Sequence, residues 1–409
     1  MQDKNFENHS FMCFAFPEFR PLRLYAYGIR KIFRADDLIP YDSDRLNEYF
    51  RNRNWQVGWI GYGLKSHIAN LPHQKNEFLQ YDLCWIEPEI LFLADEKVEE
   101  VIIGEKSEAK RIFENINQAD SFENQMELTS QTEFSEYLQK FTTTMRSIQR
   151  GDIYEANLCI PFDFKAQIKN PYTLWRNSLD TLNAPFSCYV HYGYIHALSF
   201  SPERFIKKSG SDIISQPIKG TIAASDHPEE DKIKKETLLN SFKDLTENRM
   251  VVDLIRNDLC RICEPGSVIV NELASIKSFP GLHHLVSEVK GTLKDVGFSK
   301  ILRATFPMAS MTGIPKHKMM VLMDEIENSP RGLYSGSIGY KKPNGDFDFN
   351  VVIRTLLYDH SQGKARINAG GAITSQSHPR DEYTECQTKI KRLLQALCPS
   401  LDTSVLGGI

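Results

Sequence analysis

Lys219, in the stretch Gln216-Pro217-Ile218-Lys219-Gly220-Thr221, stands where a lysine can do covalent chemistry. An apolar run with Ile213 and Ile214 leads into a proline, which fixes the backbone and removes a donor, and Gly220 lets another group approach the main chain closely. A lysine at such a strand end serves as a nucleophile once its surroundings let it lose a proton. A free lysine titrates near ~10.4, and nearby carboxylates hold the proton on, so burial or proton removal on substrate entry has to win.

Two acidic pairs, Asp244/Glu247 and Glu382/Glu385, are each spaced three apart in helix-patterned stretches, so each pair shares a helix face. If the two helices face each other, four carboxylates converge. That much like charge calls for a hard cation with oxygen ligands, and Mg²⁺ suits it best because it needs only one or two direct carboxylates plus a ligand anion. The second half also collects parts for holding anions. Ser310 and Thr312 precede a helix N-terminus, whose free amides attract negative charge. Arg354 is the only basic residue between Phe347 and Tyr358, and a lone arginine among apolar neighbours needs a partner, for which a planar carboxylate is the best fit. Ala369-Gly370-Gly371-Ala372 offers bare backbone amides. Together these parts describe a pocket for a small substrate with more than one carboxylate.

The elements that must position them are readable from periodicity. Short apolar runs predict strands over 11–16, 22–27, 56–60 and 90–93, with a helix over 43–50. Residues 95–131 are polar, mixed in charge and poor in aromatics, and are expected to form a solvent-exposed connection carrying at most one helix. Ser130 and Glu133 have capping-box spacing ahead of a helix whose stripe runs from Phe134 to Ile148. Strands follow over 153–164, 187–190 and 195–201, then a helical region over 228–262 carrying the first acidic pair. Further strands are expected over 267–270 and 285–290, and a helix opening at Thr312-Gly313-Ile314-Pro315. A hairpin joins 333–340 to 347–357 across Pro343-Asn344-Gly345-Asp346, a strand covers 366–375, and a final helix over 379–397 carries Glu382 and Glu385. Many hairpin-spaced strands broken by separate helices predict an α+β fold over a doubly wound parallel sheet.

With 41% hydrophobic and 25% charged residues among 409, the chain has the composition of a globular protein with a sizeable core. A net charge of -4 and scattered basic pairs argue against nucleic acid or an acidic membrane as partner. Eight cysteines lie singly apart from Cys260-x-x-Cys263, which has no second pair at zinc spacing. The first ten residues, MQDKNFENHS, contain no signal-peptide core, and no run of eighteen apolar residues occurs, so a cytoplasmic protein is expected.

Eight blocks then stand in a telling order: SPERF (201–205), PIKGT (217–221), TENRMVVDLIRNDLCR (246–261), HHLVS (283–287), SMTGIPK (310–316), RGLYSGSIGY (331–340), VVIRT (351–355) and NAGGAI with EYTE (368–385). In content and order they resemble the signature blocks of the chorismate-utilising enzymes, across about 126–400. The resemblance implies an anthranilate synthase component I-like body of two mostly antiparallel β-sheets flanked by helices, with the active site between the sheets. It implies an N-terminal β-rich portion of the same body over 1–125, with a polar connection at about 95–125, a catalytic region over 126–400 and a tail over 401–409.

Within that family the lysine of PIKGT resembles the aminodeoxychorismate synthase branch, where anthranilate and isochorismate synthases carry alanine. The resemblance then implies that Lys219 attacks C2 of chorismate as the C4 hydroxyl leaves, and that ammonia adds at C4 and expels the lysine. Glu203 would be the general acid. Glu247 and Glu385 would bind Mg²⁺, supported by Asp244 and Glu382. Tyr334 and Arg354 would hold the enolpyruvyl carboxylate, and Gly220, Thr221, Ser310, Gly370, Gly371 and Lys389 would complete the pocket. His284 matches the family histidine near the enolpyruvyl group, and His283 is expected to be structural. Relatives that use ammonia usually carry glutamine at the position of Glu155, and those that use water carry lysine. No glutaminase block is visible, so a separate glutamine amidotransferase subunit is the implied partner. The alternatives are anthranilate synthase component I of the tryptophan pathway, whose LLES-type motif is absent here, and a catalytically silent chorismate-binding paralogue.

Overall fold

In the computed structural model, which describes residues 10–35, 43–72, 74, 76–118, 124–279 and 281–407, the strands collect into two sheets. The first has eleven strands, in the order Gly313–Ile314, Glu155–Gln167, Lys364–Ile373, Thr355–Asp359, Ile195–Ser201, Phe186–Tyr192, Ser10–Ala15, Arg23–Tyr27, Ile90–Ala94 and Val98–Ile103, with Gln125–Gln131 also paired to Glu155–Gln167. The second has ten, in the order Ile218–Ala223, Leu282–Thr292, Asp212–Gln216, Arg204–Ser209, Phe347–Asn350, Ser337–Lys341, Gln56–Ile60, Leu83–Glu87 and Lys31–Ala35, with Ile269–Phe279 also paired to Leu282–Thr292. The strand pairs are antiparallel.

Strand alternation explains the layering. Successive side chains point to opposite faces. Met12 and Phe14 from the first sheet meet Val57, Trp59, Cys84 and Ile86 from the second in one core between the sheets. Their neighbours turn outward: Phe11 and Cys13 join the helices Phe134–Gln149, Pro171–Leu182 and Pro379–Leu397 on the first sheet, and Leu83 and Trp85 join Phe242–Cys260 and Phe298–Thr305 on the second. The result is helices, sheet, sheet, helices, an α+β body as the resemblance implied.

Most expected elements lie within a few residues of their observed bounds, including Ser43–Arg51 and Pro379–Leu397. Several differ. The polar stretch 95–131 carries the strands Val98–Ile103 and Gln125–Gln131 around the helix Lys106–Ile116, so it is part of the first sheet and not merely a connection; residues 119–123 lie outside those described. Ser130 sits in that strand opposite Asp163, and the helix instead begins after Glu133 without a side-chain cap, so the capping box does not form. The helical region 228–262 is two helices, Pro228–Leu239 and Phe242–Cys260, the second capped by Ser241, whose Oγ accepts from the Asp244 amide at 3.3 Å. The strand expected over 267–270 extends to Ile269–Phe279. The helix expected from Thr312 starts only at Lys316, because Gly313–Ile314 pairs with Ala156 and Glu155 as a short strand. The strand expected over 347–357 is two strands in different sheets, and the crossing falls at Val351–Arg354. The tail forms a short 3-10 turn, Thr403–Gly407, against the last helix, with Leu406 buried. No helix among the described residues is long and apolar enough to cross a membrane.

Candidate active site

The sheet crossing at Arg354 is the first sign of a built site. Arg354 has φ of 51°, a left-handed conformation that non-glycine residues seldom hold without tertiary constraint. That turn sends its side chain into a cavity of about 500 Å³, flanked by the first turn of helix Phe242–Cys260 and one face of helix Pro379–Leu397. Among the described residues its guanidinium has no hydrogen-bond or ion-pair partner. Burial, with Arg392 nearby, lowers its proton affinity to about 10, so it remains a cation at neutral pH. An enclosed cation without a partner is a site for an anion.

Lys219 enters from the second sheet through a bulge. Ile218 pairs with Val286 and Thr221 with His284, so three steps on one strand match two on the other. Gly220 makes the bulge possible. Its φ is 84°, and a Cβ there would stand 3.0 Å from Asp244 Cβ. The bulge buries Lys219, whose Nζ lies 2.8 Å from Glu155 Oε1 in the first sheet and 3.8 Å from Glu247 Oε2. Burial works to lower the affinity of Lys219 for its proton, but Glu155, Glu247 and Glu203 outweigh it and raise it above the ordinary lysine range. Glu247 is itself pushed up to about 7 by burial, against the pull of Lys219. These directions differ because one ammonium serves several carboxyl groups. The 2.8 Å contact decides between them: Lys219 rests charged, paired with Glu155.

Glu203 lies in the middle of the SPERF block, almost fully buried. Burial raises its carboxyl to about 7 even though Ser310, Lys219, the Ile218 amide and Arg354 all favour the ionised form. It is therefore a carboxylic acid able to hold a proton near neutrality.

The acidic pairs do converge. Asp244, Glu247, Glu382 and Glu385 all line the cavity, as do Gly220, Thr221, Ser310, Tyr334, Gly370, Gly371 and Lys389. Lys243 Nζ reaches Glu382 at 2.9 Å and Glu247 at 4.0 Å, and Lys389 binds Glu385 at 2.8 Å and the Gly370 carbonyl at 2.8 Å. Lys389 and neighbouring lysines hold the Glu385 carboxyl below its usual range despite burial. Glu247 Oε1 and Glu382 Oε2 are buried with no hydrogen-bond partner. Gly371 faces Glu382 so closely that a Cβ there would lie 3.2 Å from Oε2, and one at Gly370 would lie 3.0 Å from the Tyr334 hydroxyl. Orphaned carboxylate oxygens on two facing helices fit a hard divalent cation.

Of the expected site residues, His284 alone stands back from the cavity wall. It is buried, its Nδ1 is 2.8 Å from Thr221 Oγ1, and burial with Arg354 and Arg392 keeps it neutral, near about 3. His283 is held between Ser278 and Asp231, at 2.9 and 2.7 Å, as its structural assignment required. Sequence reasoning missed three residues. Glu155 departs from the glutamine or lysine of the relatives it resembles, but nothing in the sequence marks it as the partner of Lys219. Lys243 adjoins Asp244 in the same first turn, and Arg392 lies three residues beyond Lys389, so helical spacing held a signal for both.

Residues 31–395 match the chorismate binding enzyme family. This chain belongs to that family. The family member is 34% identical over 384 residues to the chloroplastic aminodeoxychorismate synthase of Arabidopsis thaliana, covering 86% of this chain and 41% of that protein. It is 40% identical over 263 residues to aminodeoxychorismate synthase component 1 of Klebsiella aerogenes, covering 64% and 58%. An anthranilate synthase component I-like protein of Synechocystis is 34% identical over 392 residues, covering 92% and 80%. The chain thus spans 41% of the plant relative's length and 58% of the Klebsiella one. The crystal structure of anthranilate synthase component I from Streptococcus pneumoniae superimposes with a TM-score of 0.78 at 24% identity, covering 92% of each chain, and has the same fold.

Proposed function

We propose that this chorismate-binding chain is the catalytic component of an aminodeoxychorismate synthase, converting chorismate and ammonia to 4-amino-4-deoxychorismate for para-aminobenzoate and folate synthesis. The observation that carries the reading is Lys219, buried in the cavity 2.8 Å from Glu155. Its relatives named for that activity support it.

In this reading the substrate's carboxylates are held by Arg354, with Tyr334, and at the acidic helix ends. Glu247 and Glu385, with Asp244 and Glu382 in support, would hold a Mg²⁺ ion, which when bound would supply positive charge for the ring carboxylate and for departure of the hydroxyl. Glu155 takes a proton from Lys219 as the substrate enters. The neutral amine bonds to C2 while the C4–O bond breaks, and Glu203 donates its proton so that the hydroxyl leaves as water. Ammonia then bonds to C4, the C2–N bond breaks, and the lysine amine is released. Chorismate and ammonia thus give aminodeoxychorismate and water. The ammonia is supplied free or by a separate glutamine amidotransferase subunit.

The test is incubation of the purified chain with chorismate, a magnesium salt and an ammonium salt, with the product identified by mass and fluorescence. Aminodeoxychorismate is expected. Fluorescent anthranilate would sink the reading, as would no turnover with an amidotransferase partner present.

A further inference from the structure

Three of the chain's eleven histidines, spread over the sequence as His191, His196 and His360, meet on the helix-facing side of the first sheet. None lines the cavity. His191 and His196 are directly opposed across the hairpin of Phe186–Tyr192 and Ile195–Ser201, with rings stacked at 4.2 Å and 14°. His360 follows strand Thr355–Asp359, and its amide donates to the Tyr194 carbonyl in the hairpin turn at 3.1 Å. One nitrogen from each ring lies within 4.8 Å of the other two.

The hydrogen bonds around the rings are satisfied by one set of tautomers that suits ligation. His191 Nε2 lies 3.1 Å from the Gly193 carbonyl, which only accepts, so the proton is on Nε2 and the lone pair on Nδ1. His196 Nδ1 is 2.7 Å from the Tyr189 hydroxyl, and its Nε2 is 2.9 Å from His360 Nδ1. With the ring proton on Nδ1, Tyr189 accepts it and the Nε2 lone pair faces His360. This is the arrangement metal-ligating histidines use, with the far nitrogen donating to a neighbouring oxygen. Tetrahedral bonds of ~2.0–2.1 Å put ligand nitrogens about 3.3 Å apart; the three nitrogens already lie within 4.8 Å, and the half-buried His191 ring must turn out of its stack on His196, with the exposed His360 ring, for all three lone pairs to meet one ion.

We propose that His191, His196 and His360 form a binding site for a borderline divalent transition metal, with Zn²⁺ the fitting ion. Imidazole nitrogen selects zinc, copper or nickel, whereas the cavity carboxylates select a hard cation, so the two sites are sorted by ligand chemistry. His196 is the second residue of the strand Ile195–Ser201, which ends two residues before Glu203, and His360 directly follows the strand that starts just after Arg354. A metal here ties three neighbouring strands together at the end away from the cavity, roughly 20 Å from Glu203 at ~3.3 Å per residue.

The test titrates Zn²⁺, and separately Co²⁺, into chelator-treated full-length protein in excess Mg²⁺. It follows thermal unfolding, the visible d–d bands of Co²⁺ and the metal-edge X-ray absorption. One Zn²⁺ per chain, a tetrahedral Co²⁺ spectrum, nitrogen ligands at ~2.0–2.1 Å and a raised unfolding temperature are expected. His360→Ala, at an exposed position, should abolish all of these while leaving the metal-free unfolding temperature unchanged. Tyr189→Phe should weaken binding about 10–100-fold. The proposal is overturned if His360→Ala binds Zn²⁺ as the parent does, if Glu247→Gln instead removes the signal, or if X-ray absorption reports only oxygen ligands.

Discussion

Glu155→Gln removes the nearest negative charge from Lys219 while keeping the shape of the side chain. At 2.8 Å the gross attraction in an effective dielectric of about 20 is ~6 kcal/mol. Most of that is offset, because the glutamine carbonyl still accepts from Nζ and Glu247 remains at 3.8 Å. The net loss is the difference between a charge-assisted hydrogen bond and one to a neutral acceptor, about 1–1.5 kcal/mol. At 1.36 kcal/mol per pH unit, Lys219 should release its proton about one pH unit lower in the variant. Competitive trace acetylation measures this without substrate: the protein is labelled across a pH series and the Lys219 peptide is quantified by mass spectrometry. The labelling midpoint should move downward. An unchanged or higher midpoint would refute the assignment of Glu155 as the group that holds the proton on Lys219.

Other perturbations probe the remaining parts. Glu203 holds its proton more tightly folded (about 7) than unfolded (4.5), so the folded state loses roughly 3 kcal/mol as pH rises through that window. Glu203→Gln should remove that loss, raising the unfolding temperature at pH 8 relative to the parent but not at pH 5; a parallel offset at both would contradict the shift. Arg354→Gln should raise KM for chorismate at least tenfold and relieve the like-charge contact with Arg392, so an unchanged KM argues against an anion at this position. Gly220→Ala should cost ~1–2 kcal/mol from its positive φ alone, with Asp244 displaced as well, and denaturant unfolding reads the loss directly.

Much of this site was legible because its parts are local. Arg354 stands out as the lone basic residue of an apolar stretch, and each acidic pair is a helical spacing. What periodicity could not supply is contact between distant segments. Glu155 and Lys219 are far apart in sequence and meet only because one sheet packs on the other. The misreading of 95–131 has a different cause. Val98–Ile103 is the outermost strand of its sheet, and Gln125–Gln131 lies along the outer side of Glu155–Gln167; both leave much of their surface in water, so their polar residues hide a strand behind the composition of a loop. The same stretch shows why a motif needs its setting. Ser130 and Glu133 have capping-box spacing, but the Ser130 backbone is already committed to the ladder with Asp163.

The central claim is that Lys219 bonds covalently to the substrate. Intact-protein and peptide mass spectrometry after mixing with chorismate and Mg²⁺, without ammonia, tests it most directly. The expected result is a mass gain of chorismate less one water, located on Lys219, absent from Lys219→Ala and discharged by an ammonium salt. Turnover with ammonia in the absence of any such adduct, or an adduct that persists in Lys219→Ala, would contradict it.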